Sequence, residues 1–288
     1  MANAGVTAPG VRLTVPGSLE QVTKLTRYQL REYLRSRRFV ALALIVLVVG
    51  AILTLVTAHF RGSIISTNVA FYGSFWGGGV NLPIILAAVF FGGDAIAGEF
   101  QNKTGYFLMG LPLKRTSIYV GKFIAAFLAS LAMIVLFLAI LLLNGLYYFG
   151  GSAFPWQLGV SLVLGIVYLA AVLGTTFLFS SLFKTSAYGF VLTAILFLFG
   201  FTLLEDLIAG LVKIEPWMVI SYASSTIGGI FASPVNWGIQ GTVTTTTVGR
   251  FMSTTYTSGI GEGVIIMLGY LIVTALAGLW LFEREEFT

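Results

Sequence analysis

The 288-residue chain is 57% hydrophobic and only 9% charged, with a mean hydropathy of +0.95. A water-soluble domain carries roughly 25% charged residues, so this is an integral membrane protein. The formal charge of +5 comes from basic residues beside apolar runs, which marks them as orientation signals and points away from nucleic acid as a partner. With no Cys, a single His (His59) and six scattered Met, the chain has no thiolate chemistry, no disulfide and no built-in transition-metal site.

Residues 1–17, ending in Pro16-Gly17, hold no apolar core and read as a flexible cytoplasmic tail rather than a signal peptide. Ser18-Leu19-Glu20-Gln21 then reads as a capping box, Ser and Gln standing three apart at the opening of a helix. Along residues 18–38 Arg27, Arg31 and Arg35 recur every fourth position while Leu25, Tyr28 and Leu30 point elsewhere. That pattern predicts an amphipathic helix on the membrane surface, ending in Arg37-Arg38.

A bilayer core takes about 20 apolar residues per helix. Six runs qualify: Phe39–Ala58, Phe71–Ile96, Ser117–Tyr148, Leu158–Phe183, Ala187–Leu204 and Gly263–Phe282. The expected fold is therefore an all-α bundle of six transmembrane helices, a single domain over residues 18–288. Basic residues collect on the cytoplasmic side of such bundles. Alternating the spans puts thirteen of the sixteen Lys and Arg on one face and leaves Arg61, Lys213 and Arg250 on the other. Both termini are accordingly expected in the cytoplasm. The triplet Asn102-Lys103-Thr104, formally a glycosylation acceptor, falls on the wrong face.

Residues 205–262 form the longest interval between spans and lie outside. Leu207, Ile208, Leu211 and Val212, and later Ile227, Ile230 and Phe231, predict two short re-entrant helices broken at Glu215-Pro216, because the residue before proline is biased away from helix. The run Thr242, Thr244, Thr245, Thr246 and Thr247 reads as an extended surface loop. Gly73 and Gly77, joined by Gly78 and Gly79, form a small-xxx-small pair suited to close packing or a local break.

The sequence offers no catalytic arrangement. No G-x-x-x-x-G-K-[ST] occurs, since Gly121-Lys122 is followed by Phe123 and Thr116 stands where the earlier Gly would be. H-E-x-x-H is absent too, and His- or Cys-based nucleophilic schemes have almost no residues to use. A transport or scaffold role is left.

The densest mid-chain polarity is "GDAIAGEFQNKTG" at Gly93–Gly105, continuing to "YFLMGLPLKRTSIYVGK". This stretch resembles the first cytoplasmic loop of the membrane subunits of ABC-2 type transporters: a Glu, then a Gly-Thr, a Leu-rich turn, a Pro with basic residues, and a Gly-Lys entering the next helix. Here these are Glu99, Thr104, Phe107-Leu108-Met109, Pro112 with Lys114 and Arg115, and Gly121-Lys122, with Lys103 where the family has Gly. The wider architecture is similar as well: a basic elbow helix, six spans, a long outer segment before the last span and a closing Phe282-Glu283-Arg284.

The resemblance implies a permease that exports a hydrophobic or amphipathic cargo from the plasma membrane. It would bind no cofactor itself; ATP and Mg would sit on two copies of a separate ABC ATPase subunit, and a second permease, identical or related, would complete the pathway in the lipid. Residues 97–116 would be the coupling loop, with Asp94, Glu99, Lys103, Thr104, Gly105, Phe107, Leu108, Met109, Pro112, Lys114, Arg115 and Lys122 serving it. A groove on the ATPase would accept the apolar residues while the charged ones set register. Asp94 and Glu99 are placed to cap the second span or to bridge to the elbow arginines. Glu262, between Gly261 and Gly263 at the outer mouth of the last span, is a candidate outer gate; Glu205 and Asp206 read as outer-interface residues. Two rivals stand beside this reading. "DAIAGE" also resembles the permease associated with copper delivery to nitrous oxide reductase, which the shortage of Cys and His disfavours. An ion-coupled carrier would need paired charges at mid-membrane.

Overall fold

The computed structural model describes residues 17–60, 66–101, 114–150, 154–248 and 251–284. Among these residues six helices are long and apolar enough to cross a membrane, and they fall on the six apolar runs.

Helix α1 (Ser18–Arg35) is amphipathic, as expected, but its capping box does not form. Gly17 is the N-cap and Ser18 is already helical, so no side chain caps the first turn. Gln21 is instead buried, and its Oε1 accepts from the Lys114 N–H at 3.3 Å. The helix seats on Gly121, where an added Cβ would lie 2.9 Å from Leu25 Cβ. Thr26 Oγ1 donates to the Gly121 carbonyl at 3.2 Å. At Ser36 the backbone turns extended, and the Ser36 hydroxyl accepts from the Phe39 N–H, capping α2 (Arg37–His59). A single residue thus separates the elbow from the first span.

The second span, α3 (Asn68–Gln101), is not one regular rod. Thr67 caps its start, a π turn occupies Gly73–Gly77, a regular stretch covers Asn81–Gly92, and a break precedes a last short turn at Ala97–Gln101. Gly77 faces Gly228, with an added Cβ 2.7 Å from the Gly228 Cα, so the glycine pair serves both close packing and an irregular turn. Next come α4 (Arg115–Phe149), α5 (Trp156–Leu182) and α6 (Ser186–Val212), the last with π turns at Leu196–Gly200 and Ile208–Val212. Helix α8 (Ile260–Arg284) closes the chain, packed along α5 through Gly174 and Gly278, whose added Cβ atoms would meet Thr274 Oγ1 at 2.8 Å and Leu178 Cα at 3.2 Å. The centre of the bundle belongs to α3 and α5: 72% and 61% of their most apolar windows are buried, against 17% in each of α2, α6 and α8.

The segment between α6 and α8 departs from expectation in two ways. The first of the two anticipated short helices is the end of α6 itself, which stops where Lys213 takes a left-handed conformation (φ 56°, ψ 35°) rather than at Glu215-Pro216. Only α7 (Ile220–Gly229) is separate; it buries Ile220, Tyr222, Ala223, Thr226 and Ile227. The Thr-rich run is not a loop: β1 (Thr242–Val248) and β2 (Phe251–Thr257) form an antiparallel hairpin, paired from Thr242↔Thr257 to Val248↔Phe251. Thr is a good strand former, and this hairpin adds a β element to an otherwise helical fold.

Candidate functional site: the ion-pair junction under the elbow

At the end of the bundle where α1 joins α2, the break in α3 brings several helices together. Backbones touch there: an added Cβ on Gly189 of α6 would lie 2.7 Å from the Gly93 carbonyl oxygen. The Ser180 hydroxyl of α5 then accepts from the Ile96 and Ala97 N–H groups at 3.0 and 3.1 Å, capping the last turn of α3 and setting its direction.

That last turn carries Glu99. Lys122 reaches it from the second turn of α4, where the side chain leans back toward the helix start. Its Nζ lies 2.6 Å from Glu99 Oε1 and 3.0 Å from the Ala95 carbonyl, with only 5% of the side chain exposed. A buried ammonium needs such partners, since stripping its water without them costs several kcal/mol. On the outer side of the junction, Arg38 pairs with Asp94 through a hydrogen-bonded contact. The Tyr33 hydroxyl of α1 donates to the Phe91 carbonyl at 3.1 Å. Burial, reinforced by the nearby Asp94 carboxylate, pushes the Tyr33 hydroxyl far above its ordinary value, so it stays a donor. The arrangement contains no nucleophile and base in reach of one another. Through it α1, α2, α3, α4 and α5 are fastened at one point.

Residues 32–200 match the family model of the ABC-2 family transporter protein. The chain belongs to that family. The match runs from the end of α1 into α6 and so takes in the whole junction. No curated protein matches the chain. As an ABC-2 protein it is a multi-pass membrane transport protein, of a family whose permeases work with ABC ATPase subunits.

The ABC-2 loop residues divide accordingly. Lys103, Thr104, Gly105, Phe107, Leu108, Met109 and Pro112 lie outside the described residues. Those flanking them are placed: Asp94, Glu99 and Lys122 in the junction, and the Lys114 N–H on Gln21. The Arg115 guanidinium donates to the Glu283 carbonyl at 2.7 Å, and the neighbouring Thr116 hydroxyl donates to Glu283 Oε1 at 2.7 Å. Arg27, Arg31 and Arg35 are exposed along α1, and neither acid of the junction uses them: Asp94 takes Arg38, and Glu99 takes Lys122. Sequence reasoning treated Arg38 only as an orientation signal and passed over Ser180, although Ser180-Ser181 is a polar pair closing an apolar run.

At the opposite end Glu262 sits in the first turn of α8. Its Oε2 lies 3.2 Å from the Tyr222 hydroxyl and accepts from the Gly259 N–H at 3.3 Å. The same Tyr222 hydroxyl lies 2.5 Å from Glu215 Oε1. Burial, then the hydrogen bond to Glu215, push the Tyr222 hydroxyl far above its ordinary value. Glu205 accepts from the Ser221 hydroxyl at 2.6 Å, so it faces α7. Tyr222 and Glu215 carry the cluster, and no spacing pattern along the chain announces either.

Proposed function

We propose that this chain is the permease subunit of an ATP-binding cassette exporter for a hydrophobic or amphipathic cargo. Two copies of a separate ATPase subunit bind ATP and Mg and drive it, and a second permease, the same chain or a related one, completes the pathway. The chain resides in the plasma membrane with both termini in the cytoplasm, following the distribution of its basic residues. Residues 97–116 act as the coupling loop.

The observation that supports this reading is the fastening on both sides of residues 102–113. On one side Glu99 is held by Lys122 and the last turn of α3 by Ser180; on the other, Lys114 and Arg115 are tied to Gln21 and Glu283. A push on the loop therefore reaches α1, α4, α5 and α8 together. Phe107→Ala removes an apolar anchor, and such anchors are worth about 2 kcal/mol or more, roughly thirtyfold in affinity at about 1.4 kcal/mol per decade. It should weaken ATPase docking, whereas Glu99→Ala should leave the complex assembled and poorly coupled. Copurification of the ATPase and substrate-stimulated hydrolysis, measured on both variants, test this; wild-type behaviour of both in both assays rejects the coupling role. Orientation is checked on this Cys-free chain with single Cys substitutions and an impermeant thiol reagent, which should label position 245 and spare position 102 in intact cells.

A further inference from the structure

Beneath α1, beside the junction, lies a cavity of about 510 Å³. Its lining comes from α1 between Leu25 and Tyr33, from Ser36 and the first turn of α2, from the end of α3 and from Lys122 of α4, so it sits where spans begin and end. One wall is apolar, with Leu25, Phe90 and Phe91, and Tyr28, 71% exposed, stands at its edge. Its polar part carries three carboxylates, Glu32, Asp94 and Glu99, against two cations, Arg38 and Lys122. Arg38 is engaged with Asp94, and Lys122 with Glu99. Glu32 accepts from Gln29 Nε2 at 2.8 Å on its own helix, and among the described residues no cation pairs with it. The lining is therefore acid-rich in a chain whose formal charge is +5.

We infer that this cavity holds the headgroup of a phospholipid that carries an ammonium group. Size permits it, since small-molecule sites run from about 300 to 1,000 Å³. The sign of the lining selects the charge: an ammonium is drawn to Glu32 and to the faces of Tyr28 and Tyr33, whereas a headgroup with phosphate alone adds a negative charge to an acidic wall. Position selects the source. The apolar wall and the exposed Tyr28 ring lie at the level where aromatic side chains meet the lipid interface, so an acyl chain has somewhere to continue and a soluble amine does not use that wall. A lipid seated there would sit between the elbow and α3, beside both ion pairs.

The test places the full chain in nanodiscs of equal phosphatidylethanolamine and phosphatidylglycerol and reads the lipids retained by native mass spectrometry. Retention of phosphatidylethanolamine should exceed that of phosphatidylglycerol by about three- to fivefold, the size expected of one partly exposed ion pair. Glu32→Gln, at an exposed position, should bring the ratio to near parity, and Glu32→Lys should invert it. Equal retention by the native chain, or an unchanged ratio in Glu32→Gln, overturns the inference. So does displacement of the bound lipid by excess soluble phosphoethanolamine, which would assign the site to a free headgroup. Because the readout is lipid composition, it stands or falls apart from the transport assay.

Discussion

At the elbow end of the bundle Asp94 faces Arg38 and Glu99 faces Lys122; at the hairpin end Glu205 rests on the Ser221 hydroxyl while Glu215 and Glu262 share the hydroxyl of Tyr222. Among the described residues none of the hairpin-end acids has a cationic partner. An ion pair with a buried ammonium holds its helices in one geometry, because separating the charges in a poorly solvated place is costly. A hydroxyl holds a carboxylate more weakly, and it has only one hydrogen. Tyr222 can donate to only one of its two acids at a time, and Glu215 is the nearer, at 2.5 Å against 3.2 Å for Glu262. The elbow end is therefore fastened by ion pairs, and the acids of the hairpin end are held by hydroxyl contacts.

The sharpest way to break this comparison is at Lys122. Lys122→Met breaks the buried Lys122–Glu99 pair and should cost about 3 kcal/mol, read as a drop in thermal stability in detergent. The double variant Lys122→Met/Glu99→Leu should recover most of that stability, since an apolar pair of similar volume replaces a buried ion pair at little cost; a double variant as unstable as the single one would mean the pair is not what fastens the helices. The hairpin end should depend on close packing instead. Gly77→Ala puts a Cβ 2.7 Å from the Gly228 Cα and must part α3 from α7, which should cost about 2 kcal/mol and raise amide exchange through Ile220–Gly229. Tyr222→Phe should cost about 1–2 kcal/mol, with the loss confined to residues 214–260 in the same exchange measurement. Smallest of all should be Arg38→Ala, at most about 1 kcal/mol because the Arg38 side chain is 57% exposed, and the difference from wild type should fade in high salt.

What could be read in advance follows from which forces are local. The six spans were legible because a bilayer demands about 20 apolar residues in sequence, and the amphipathic helix α1 because arginines at every fourth position line one helical face. The hairpin was missed because Thr242–Thr247 shows no apolar alternation, although a run of β-branched residues favours strand. From the sequence the fifth span ends at Leu204 and the next break falls at Glu215-Pro216; in the structure the apolar residues beyond Glu205-Asp206 continue the same helix, and the left-handed turn at Lys213 has no glycine to announce it. At the junction the sequence singled out Asp94, Glu99 and Lys122 and left the acids either to cap the second span or to bridge to the elbow arginines. Asp94 does bridge to Arg38, at the end of the 18–38 elbow, whereas Glu99 pairs with Lys122. The pairing depends on the break at Gly93 and the cap from Ser180, contacts 84 residues apart in the chain, which no local pattern reports. The capping box failed for a similar reason: Gln21 is claimed by the backbone of Lys114 across the α1–α4 contact.

The backbone contact between Gly93 and Gly189 gives the fifth span a fulcrum. Helix α6 is 27 residues long, about 40 Å at 1.5 Å per residue; one face, with Phe197 and Phe201, packs on the core and the other is exposed. Gln101 Oε1, on the last turn of α3, accepts from the Ser186 N–H at 2.9 Å, just on the near side of that contact. A small shift of the α3 tip is thus applied to the short arm of a long rod. A tilt of about 5° about Gly189 would carry Glu205, about 24 Å along the rod, through roughly 2 Å, enough to take its carboxylate out of hydrogen-bond reach of the Ser221 hydroxyl.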